Sequence, residues 1–319
     1  MYFGRTMHAP AGTAPRARVY LAYAIVSIVW GSTYLAIRVG VQEMPPFWMA
    51  GTRFLVAGMI IGAYALLKGH RLPSDLRTWG WLVLSGMLIL GVAVGGMFWA
   101  EQYLDSGLAA LLACLSPLLM ALYGSLGREG DRLTLLLVGG LVIGLLGVGI
   151  LVDPAWTTGA GRFSLYAVLV IIVGGNAWSG GSVMAKRTLK EVSPLVSSAI
   201  HSLAGAAFLL ILDIIFYGGS WPSASPWAWI SLGYLTLFGS VIAYSSYVYL
   251  LTHMAPAKAG TFTYINPVVA VFLGWLVLDE AVSLRIILGG VVILLGLFMV
   301  RRSKVQPKLM TPEAREPIS

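Results

Sequence analysis

The sequence predicts an all-α polytopic membrane protein in which ten transmembrane helices form two five-helix inverted repeats. Composition is the first observation: 58% of the 319 residues are hydrophobic and only 11% are charged, whereas soluble domains carry about 25% charged residues. The second is the length of the uncharged runs 19–37 and 133–152, since about 18 such residues indicate a membrane span. The third is a pattern in the first half of the chain that recurs in the second.

Hydropathy and loop punctuation place the ten predicted spans along the chain. Spans eight and nine are separated by only a few residues, so nine spans is the alternative count. The first span is long enough to cross a membrane, which favours a retained helix over a cleaved signal peptide. The spans cover residues 19–39, 47–67, 80–103, 106–126, 133–152, 163–186, 194–217, 226–251, 257–278 and 283–300.

The basic residues predict the orientation of these spans. With a cytoplasmic N-terminus, the outer loops hold only Arg38, Arg162 and Arg285, and Arg53 lies within a span. Every other Lys and Arg then falls on the inner side, as the positive-inside rule requires. We therefore expect both termini in the cytoplasm and the protein in the inner (plasma) membrane. The same distribution argues against a nucleic-acid partner, although the net charge is +8.

Two segments that are distant in the chain align at one fixed offset, which indicates an internal repeat. Each repeat holds five helices, an odd number, so the second enters the membrane from the opposite face. Such inverted repeats are typical of secondary transporters, whose substrate site lies near mid-membrane between the halves. Chance alignment of apolar stretches is the alternative. The matched pairs are Trp30 with Trp178, Arg38 with Lys186, Pro46 with Pro194, Arg53 with His201 and, at a slightly longer offset, Pro117 with Pro267.

The repeat also predicts how the chain is divided. A cytoplasmic tail precedes the first repeat, a periplasmic linker joins the repeats, and a second cytoplasmic tail follows. In order, these segments are 1–18, 19–152, 153–162, 163–303 and 304–319.

Three segments resemble one known family. "WGSTYLAIRVGVQEMPPFWMAGTRF", "AEQYLDSGLAALLACLSPLL" and "SVIAYSSYVYLLTHMAPAKAGTFTYINPVVAVFLGW" are similar to the EamA branch of the drug/metabolite transporter superfamily, and the likeness covers both repeats. The resemblance implies ten helices, a central cavity between the halves, and a bacterial inner-membrane permease that exports amino acids or related small metabolites. It does not define the substrate.

Aromatic and polar residues within the spans are the candidates for binding a substrate. On the first span Trp30, Tyr34 and Arg38 recur at four-residue steps and share one face. Trp30 lies near mid-span, so a cavity wall explains it better than anchoring at the membrane surface. The residues expected to bind substrate are Trp30, Tyr34, Trp99, Asn176, Trp178, Tyr264 and Asn266.

Pro117 and Pro267 place a helix breaker in two equivalent spans. Proline lacks an N–H and frees a carbonyl, which a bilayer tolerates only beside protein or water. Two interpretations stay open. The kinks flank the substrate, with Tyr264 and Asn266 offering hydrogen bonds, or they serve packing alone.

Arg53 lies about 9 Å inside the second span and needs a partner or water. Glu101, at the end of the third span, is the predicted partner. Glu43 is the alternative, and extension of the side chain to the headgroups is the third option. In the repeat alignment His201 corresponds to Arg53, and Leu251 corresponds to Glu101. Because His201 therefore has no equivalent carboxylate, the sequence predicts that it is a neutral, hydrogen-bonded histidine. We expect Arg53 to brace the cavity wall. The residues with expected gating or structural roles are Arg53, Glu101, His201, Pro117 and Pro267.

A secondary transporter working by alternating access is the function that these features predict. The sequence contains no GxxxxGK[ST] motif, so energy would come from an ion or substrate gradient, and we expect no cofactor and no metal. Two alternatives stay open for coupling. A proton could bind Glu101 or His201, for which the sequence offers no direct support, or transport could proceed without a coupling ion. The two rival functions are a passive channel and an intramembrane hydrolase using Ser179 or Ser182 with His201, although close packing explains the serines better.

Overall fold

The computed structural model describes residues 16–125, 134–153, 161–188, 192–254 and 259–302. Within these ranges the chain forms helices joined by short turns and contains no strand. The predicted all-α class is therefore confirmed. Most of the predicted tails, 1–18 and 304–319, and of the linker 153–162 lies outside the described residues.

Helical segments that continue one another along the chain share one label here. The helices are α1 Arg16–Val41, α2 Pro46–Leu67, α3 Leu76–Ala100, α4 Ser106–Ala113 continued by Leu115–Ser125, α5 Leu135–Leu151, α6 Arg162–Thr188, α7 Pro194–Tyr217, α8 Pro226–His253, α9 Gly260–Leu278 and α10 Leu284–Arg302.

Seven of the described helices are long and apolar enough to cross a membrane, namely α1, α2, α3, α6, α7, α8 and α9. Helices α4, α5 and α10 are apolar but shorter. Large apolar side chains such as Leu67, Leu135 and Phe216 are exposed on the outside of the bundle, as expected for a surface that faces lipid. The count of ten spans stays a prediction.

Helix starts carry the sequence signals that capping requires. Helices α2 and α7 begin at Pro46 and Pro194, because a proline in the first turn lacks only an N–H that would be unpaired anyway. Asp75 accepts a hydrogen bond from the Thr78 N–H at the start of α3. Ser225 caps α8 in the same way, so α2 and α3 start like α7 and α8.

The most extensive helix contacts join α2 to α7 and α5 to α10. Glycine allows the second pair to touch along the backbone. A Cβ on Gly296 of α10 would lie 2.6 Å from the Gly140 carbonyl oxygen and 2.7 Å from the Gly144 nitrogen of α5. In lipid, where helices gain little from the hydrophobic effect, such close approach drives association.

Helices α3 and α8 each contain a π-helical segment, Met87–Val94 and Leu235–Tyr244. A π segment changes the face that the following residues present, and such segments are frequent at functional sites. Both of these contribute residues to the same central cavity.

Candidate substrate cavity

A central cavity of about 110 Å³ lies between α1, α2, α3, α4, α6, α8 and α9. That volume has room for several ordered waters or one small metabolite. Most of its wall is apolar. The aromatic lining residues are Trp30, Tyr34, Phe54, Trp178, Tyr244 and Phe262. The polar lining side chains include Thr33, Arg53, Ser116, Thr263 and Asn266.

Trp30 is the centre of the aromatic part of the wall. Its ring centroid lies 5.4 Å from Trp178, 5.3 Å from Tyr247 and 4.9 Å from Phe262. Its Nε1 donates to the Gly239 carbonyl oxygen at 3.0 Å, in the π segment of α8. Three aromatic neighbours and a buried hydrogen bond hold this ring in one position, so it forms a rigid surface.

Helices α4 and α9 are both interrupted beside the cavity. Helix α4 breaks at Cys114, and α9 changes from 3-10 to α geometry at Ile265. Pro267 leaves the Thr263 carbonyl without its helical donor. The Cys114 thiol donates to that oxygen at 3.0 Å. A side chain at the interruption of α4 thus supplies the hydrogen bond that the interruption of α9 leaves unformed. Thr263 also lines the cavity.

Arg53 reaches the cavity from α2. Its side chain is 4% exposed, and Nε donates to the Ser240 hydroxyl at 2.6 Å. The guanidinium carbon lies 4.9 Å from the Phe54 ring centroid and 5.6 Å from that of Phe98. No carboxylate of the described residues lies within ion-pair distance of Arg53. A buried cation thus faces the cavity with only neutral partners.

The contact that the sequence predicts between Arg53 and Glu101 is not formed. Arg38 is the basic residue beside Glu101: one of its terminal nitrogens donates to the Glu101 carbonyl oxygen, and the other lies 3.9 Å from the Asp105 carboxylate. Arg53 lies two turns inside α2, roughly 10 Å from its start, whereas Glu101 follows the last turn of α3. This difference in depth separates the two groups.

Glu43, the alternative partner for Arg53, is also engaged elsewhere. Its carboxylate accepts hydrogen bonds from the Ser225 N–H at 2.6 Å and the Ser225 hydroxyl at 2.7 Å. The backbone hydrogen bond lowers the pKa of Glu43.

His201 is buried and has a partner on each ring nitrogen. Nε2 lies 3.0 Å from the Ser85 hydroxyl, and Nδ1 lies 2.8 Å from the Tyr244 hydroxyl. Such neutral partners suit an uncharged imidazole. Ser179 and Ser182, the nucleophiles of the hydrolase hypothesis, form hydrogen bonds with other groups, so neither pairs with His201.

Of the residues expected to bind substrate, three lie away from the cavity wall. Trp99 packs against Tyr103, Asn176 accepts from the Tyr123 hydroxyl at 3.0 Å, and the Tyr264 hydroxyl donates to a backbone carbonyl of α10. The others line the cavity, namely Trp30, Tyr34, Trp178 and Asn266.

Tyr244 and Phe262 line the cavity but were not predicted. Tyr244 ends the π segment of α8, and Phe262 belongs to the 3-10 turn of α9. Residue faces in both places depart from the regular 3.6-residue period, so spacing alone does not identify them. Their aromatic type within predicted spans of the second half of the chain is the available signal.

The family model described as the EamA-like transporter family matches residues 17–152 and 165–302. The chain belongs to this family. The uncharacterized inner membrane transporter YedA of Escherichia coli strain K12 is 38% identical to this EamA-like transporter over 251 residues, which is 77% of the chain and 78% of YedA. The uncharacterized transporter YoaV of Bacillus subtilis strain 168 is 24% identical over 288 residues, 88% of the chain and 96% of YoaV.

A solved structure carries the same fold as this EamA-like transporter. A chain described only as "Crystal structure of protein" superposes with a TM-score of 0.66 at 23% identity, covering 89% of this chain and 96% of that one. At that identity the likeness concerns the fold alone.

A second and more polar pocket of this EamA-like transporter, of about 340 Å³, lies at the end of the bundle where α1 and α3 finish. We name it the end pocket, and Arg38, Asp105 and Glu280 are among its lining residues. Burial raises the pKa of Asp105, the nearby Glu280 carboxylate raises it further, and Arg38 lowers it. The backbone of Glu101 contacts both linings: its carbonyl oxygen accepts from Arg38 of the end pocket, and its N–H donates to the carbonyl oxygen of Met97, which lines the central cavity.

Proposed function

We propose that the protein is a secondary transporter of the inner membrane that moves small carboxylate-bearing metabolites through the central cavity by alternating access. The observation that carries this proposal is the guanidinium of Arg53, which lines an aromatic cavity without a carboxylate partner among the described residues. The division into repeats at 19–152 and 163–303, the ten spans and the cytoplasmic termini belong to the same proposal.

Equivalent features in the two halves support the inverted repeat. Arg38 of α1 donates to the Glu101 carbonyl oxygen at the end of α3. Lys186 of α6 donates to the Leu251 carbonyl oxygen at the end of α8, at 2.8 Å. A basic side chain near a helix C-terminus compensates its unpaired carbonyls. The π segments in α3 and α8 and the interruptions in α4 and α9 are paired in the same way.

Polar contacts between turns support ten crossings. If each helix crosses once, the turns after α1, α3, α5, α7 and α9 must all lie at one end of the bundle. Four contacts link these turns into one group. They are Arg38 with Asp105, Glu43 with Ser225, Glu280 with Ser106, and Arg285 with Asp153.

The chemistry of the central cavity favours one substrate class. A guanidinium in an apolar, water-poor site binds a carboxylate through two parallel hydrogen bonds. The surrounding aromatic rings of Trp30, Trp178 and Phe262 suit an apolar or aromatic body. Amino acids with apolar side chains combine both features. In this proposal Arg53 contacts the substrate, whereas the sequence-based expectation limits it to bracing the wall.

The test is counterflow in proteoliposomes. Liposomes holding purified protein and unlabelled L-phenylalanine should transiently accumulate radiolabelled L-phenylalanine, and the uptake should saturate. L-phenylalaninamide, which keeps the aromatic body and lacks the carboxylate, should be taken up at least about tenfold more slowly, because it leaves Arg53 unpaired. L-leucine extends the panel to an aliphatic body, and protein-free liposomes are the control.

Two results would contradict the proposal. Flux that rises linearly with concentration and shows no counterflow indicates a passive channel. Equal uptake of the acid and the amide shows that the cavity does not recognise a carboxylate.

A further inference from the structure

Glu101 is a buried acid without a partner. It follows the last residue of α3, its side chain is 0% exposed, and neither carboxyl oxygen has a hydrogen-bond partner among the residues that the structure describes. Its N–H donates to the Met97 carbonyl oxygen at 3.0 Å. Since Met97 lines the central cavity, the Glu101 backbone lies one turn from the cavity wall.

The charged groups around Glu101 are engaged with other partners. Arg38 uses its terminal nitrogens on the Glu101 backbone carbonyl and on Asp105. The Glu280 carboxylate accepts from the Ser106 N–H at 2.8 Å and the Ser106 hydroxyl at 2.9 Å. The titratable groups that face Glu101 or its turn are Tyr34 and Arg38 of α1, Asp105 after α3, and Asp279 and Glu280 before α10.

Glu101 has neighbours that line two solvent-sized spaces. Arg38, Asp105 and Glu280 line the end pocket, whereas Tyr34 and Met97 line the central cavity. An acid whose neighbours line both spaces can exchange a proton with either one after a small change in packing.

Burying an ionised carboxylate without a partner costs a large desolvation free energy, whereas burying the neutral acid costs much less. The conformation described here therefore suits the protonated form of Glu101. A conformation that opens this site to water would allow the proton to leave. The equivalent position in the second predicted repeat is Leu251, so that position carries no carboxylate.

We propose that Glu101 is the proton-binding residue that couples this transporter to a pH gradient. Its carboxylate takes a proton from water in the end pocket, carries it as the neutral acid through the closed conformation, and releases it to water on the opposite side, while the metabolite moves the other way. This inference rests on the proposed function, because coupling requires transport.

The first experiment measures the proton without any substrate. Infrared difference spectra of the reconstituted protein at two pH values should contain the carbonyl band of a protonated carboxylic acid. The band should be absent from Glu101→Gln and present in the matched variants Asp105→Asn and Glu280→Gln. Glu101→Asp, which keeps a carboxyl group, should show the band at a shifted pH. Identical spectra for the wild type and Glu101→Gln would overturn the proposal.

The second experiment measures coupling with L-phenylalanine as the probe. An imposed pH gradient should accelerate wild-type uptake at least about fivefold over counterflow. In Glu101→Gln the ratio of gradient-driven uptake to counterflow should fall to about one, while Asp75→Asn, at the start of α3, should keep the wild-type ratio. A wild-type ratio of one, with counterflow present, overturns proton coupling. If the wild type shows no counterflow, that result counts against the proposed function instead. In that case the infrared experiment still tests proton binding, which is supported if the band is lost in Glu101→Gln and kept in the matched variants.

Discussion

Arg53 lies over the rings of Phe54 and Phe98, with its Nε bonded to Ser240. These neutral partners hold the guanidinium in place without cancelling its charge. In the proposed function, a substrate carboxylate would meet a positioned cation whose desolvation has already occurred on folding, an arrangement that favours binding.

Replacing Arg53 should separate charge from geometry. We expect Arg53→Gln to lower kcat/KM for L-phenylalanine by at least about 30-fold, since losing one partner of a buried charge pair costs about 2 kcal/mol or more. Arg53→Lys should lower kcat/KM by a smaller factor, because lysine keeps the positive charge but cannot form two parallel hydrogen bonds to a carboxylate. Concentration-dependent counterflow measures both values.

The exposed Arg285, which pairs with Asp153 at 2.7 Å, provides the matched control. Arg285→Gln should stay within about twofold of the wild type, because exposed ion pairs contribute little. Equal losses for L-phenylalanine and L-phenylalaninamide in Arg53→Gln would indicate a structural role for Arg53 instead.

At the scale of elements, helix contacts through glycine hold the bundle together. The α5–α10 contact brings backbone against backbone, so a Cβ at Gly296 meets atoms that cannot rotate away. The helices would have to separate to accept it.

Gly296→Ala should therefore destabilise the protein by about 1–3 kcal/mol, the usual cost of overpacking. Gly149→Ala is the matched control on α5, because nothing lies within 4 Å of a Cβ there and alanine favours the helix. Thermal unfolding in detergent, followed by tryptophan fluorescence, should show a lower Tm for the first variant only. Equal Tm values would show that α5 and α10 do not depend on this contact.

The regular parts of the elements follow from the sequence, and the irregular parts do not. Apolar runs and the prolines at 46 and 194 predict most helix positions. The π segments of α3 and α8 depart from the regular helical period on which sequence patterns rely. They alter the faces that α3 and α8 present, which explains why Tyr244 was missed and why Trp99 lies outside the cavity.

At the scale of the whole molecule, the distribution of basic residues predicts which end of the bundle faces the cytoplasm. Replacing Cys114, the sole cysteine of the chain, by serine keeps a donor for Thr263 and leaves no other thiol. A single cysteine can then be placed at the exposed Ser74, between α2 and α3, or at the exposed Ser220, between α7 and α8.

A membrane-impermeant maleimide applied to intact cells should label Ser220→Cys and not Ser74→Cys. Permeabilisation should make both sites reactive, because the Ser74 turn is expected on the cytoplasmic side. The reverse pattern would invert the predicted topology, and labelling of both sites in intact cells would contradict separate sides for these two turns.

The sequence by itself determined the membrane class, the helix positions and the likeness between the two halves, because these depend on local hydropathy and on residue type at matched positions. It also indicated that Trp30 belongs to a cavity wall. Only the tertiary structure decided which groups meet: Arg53 contacts Ser240, Arg38 contacts Asp105, and the Glu101 carboxyl group has no partner within the described ranges. Such pairings depend on the relative depth and rotation of packed helices, and changes of a few ångströms there exchange one partner for another.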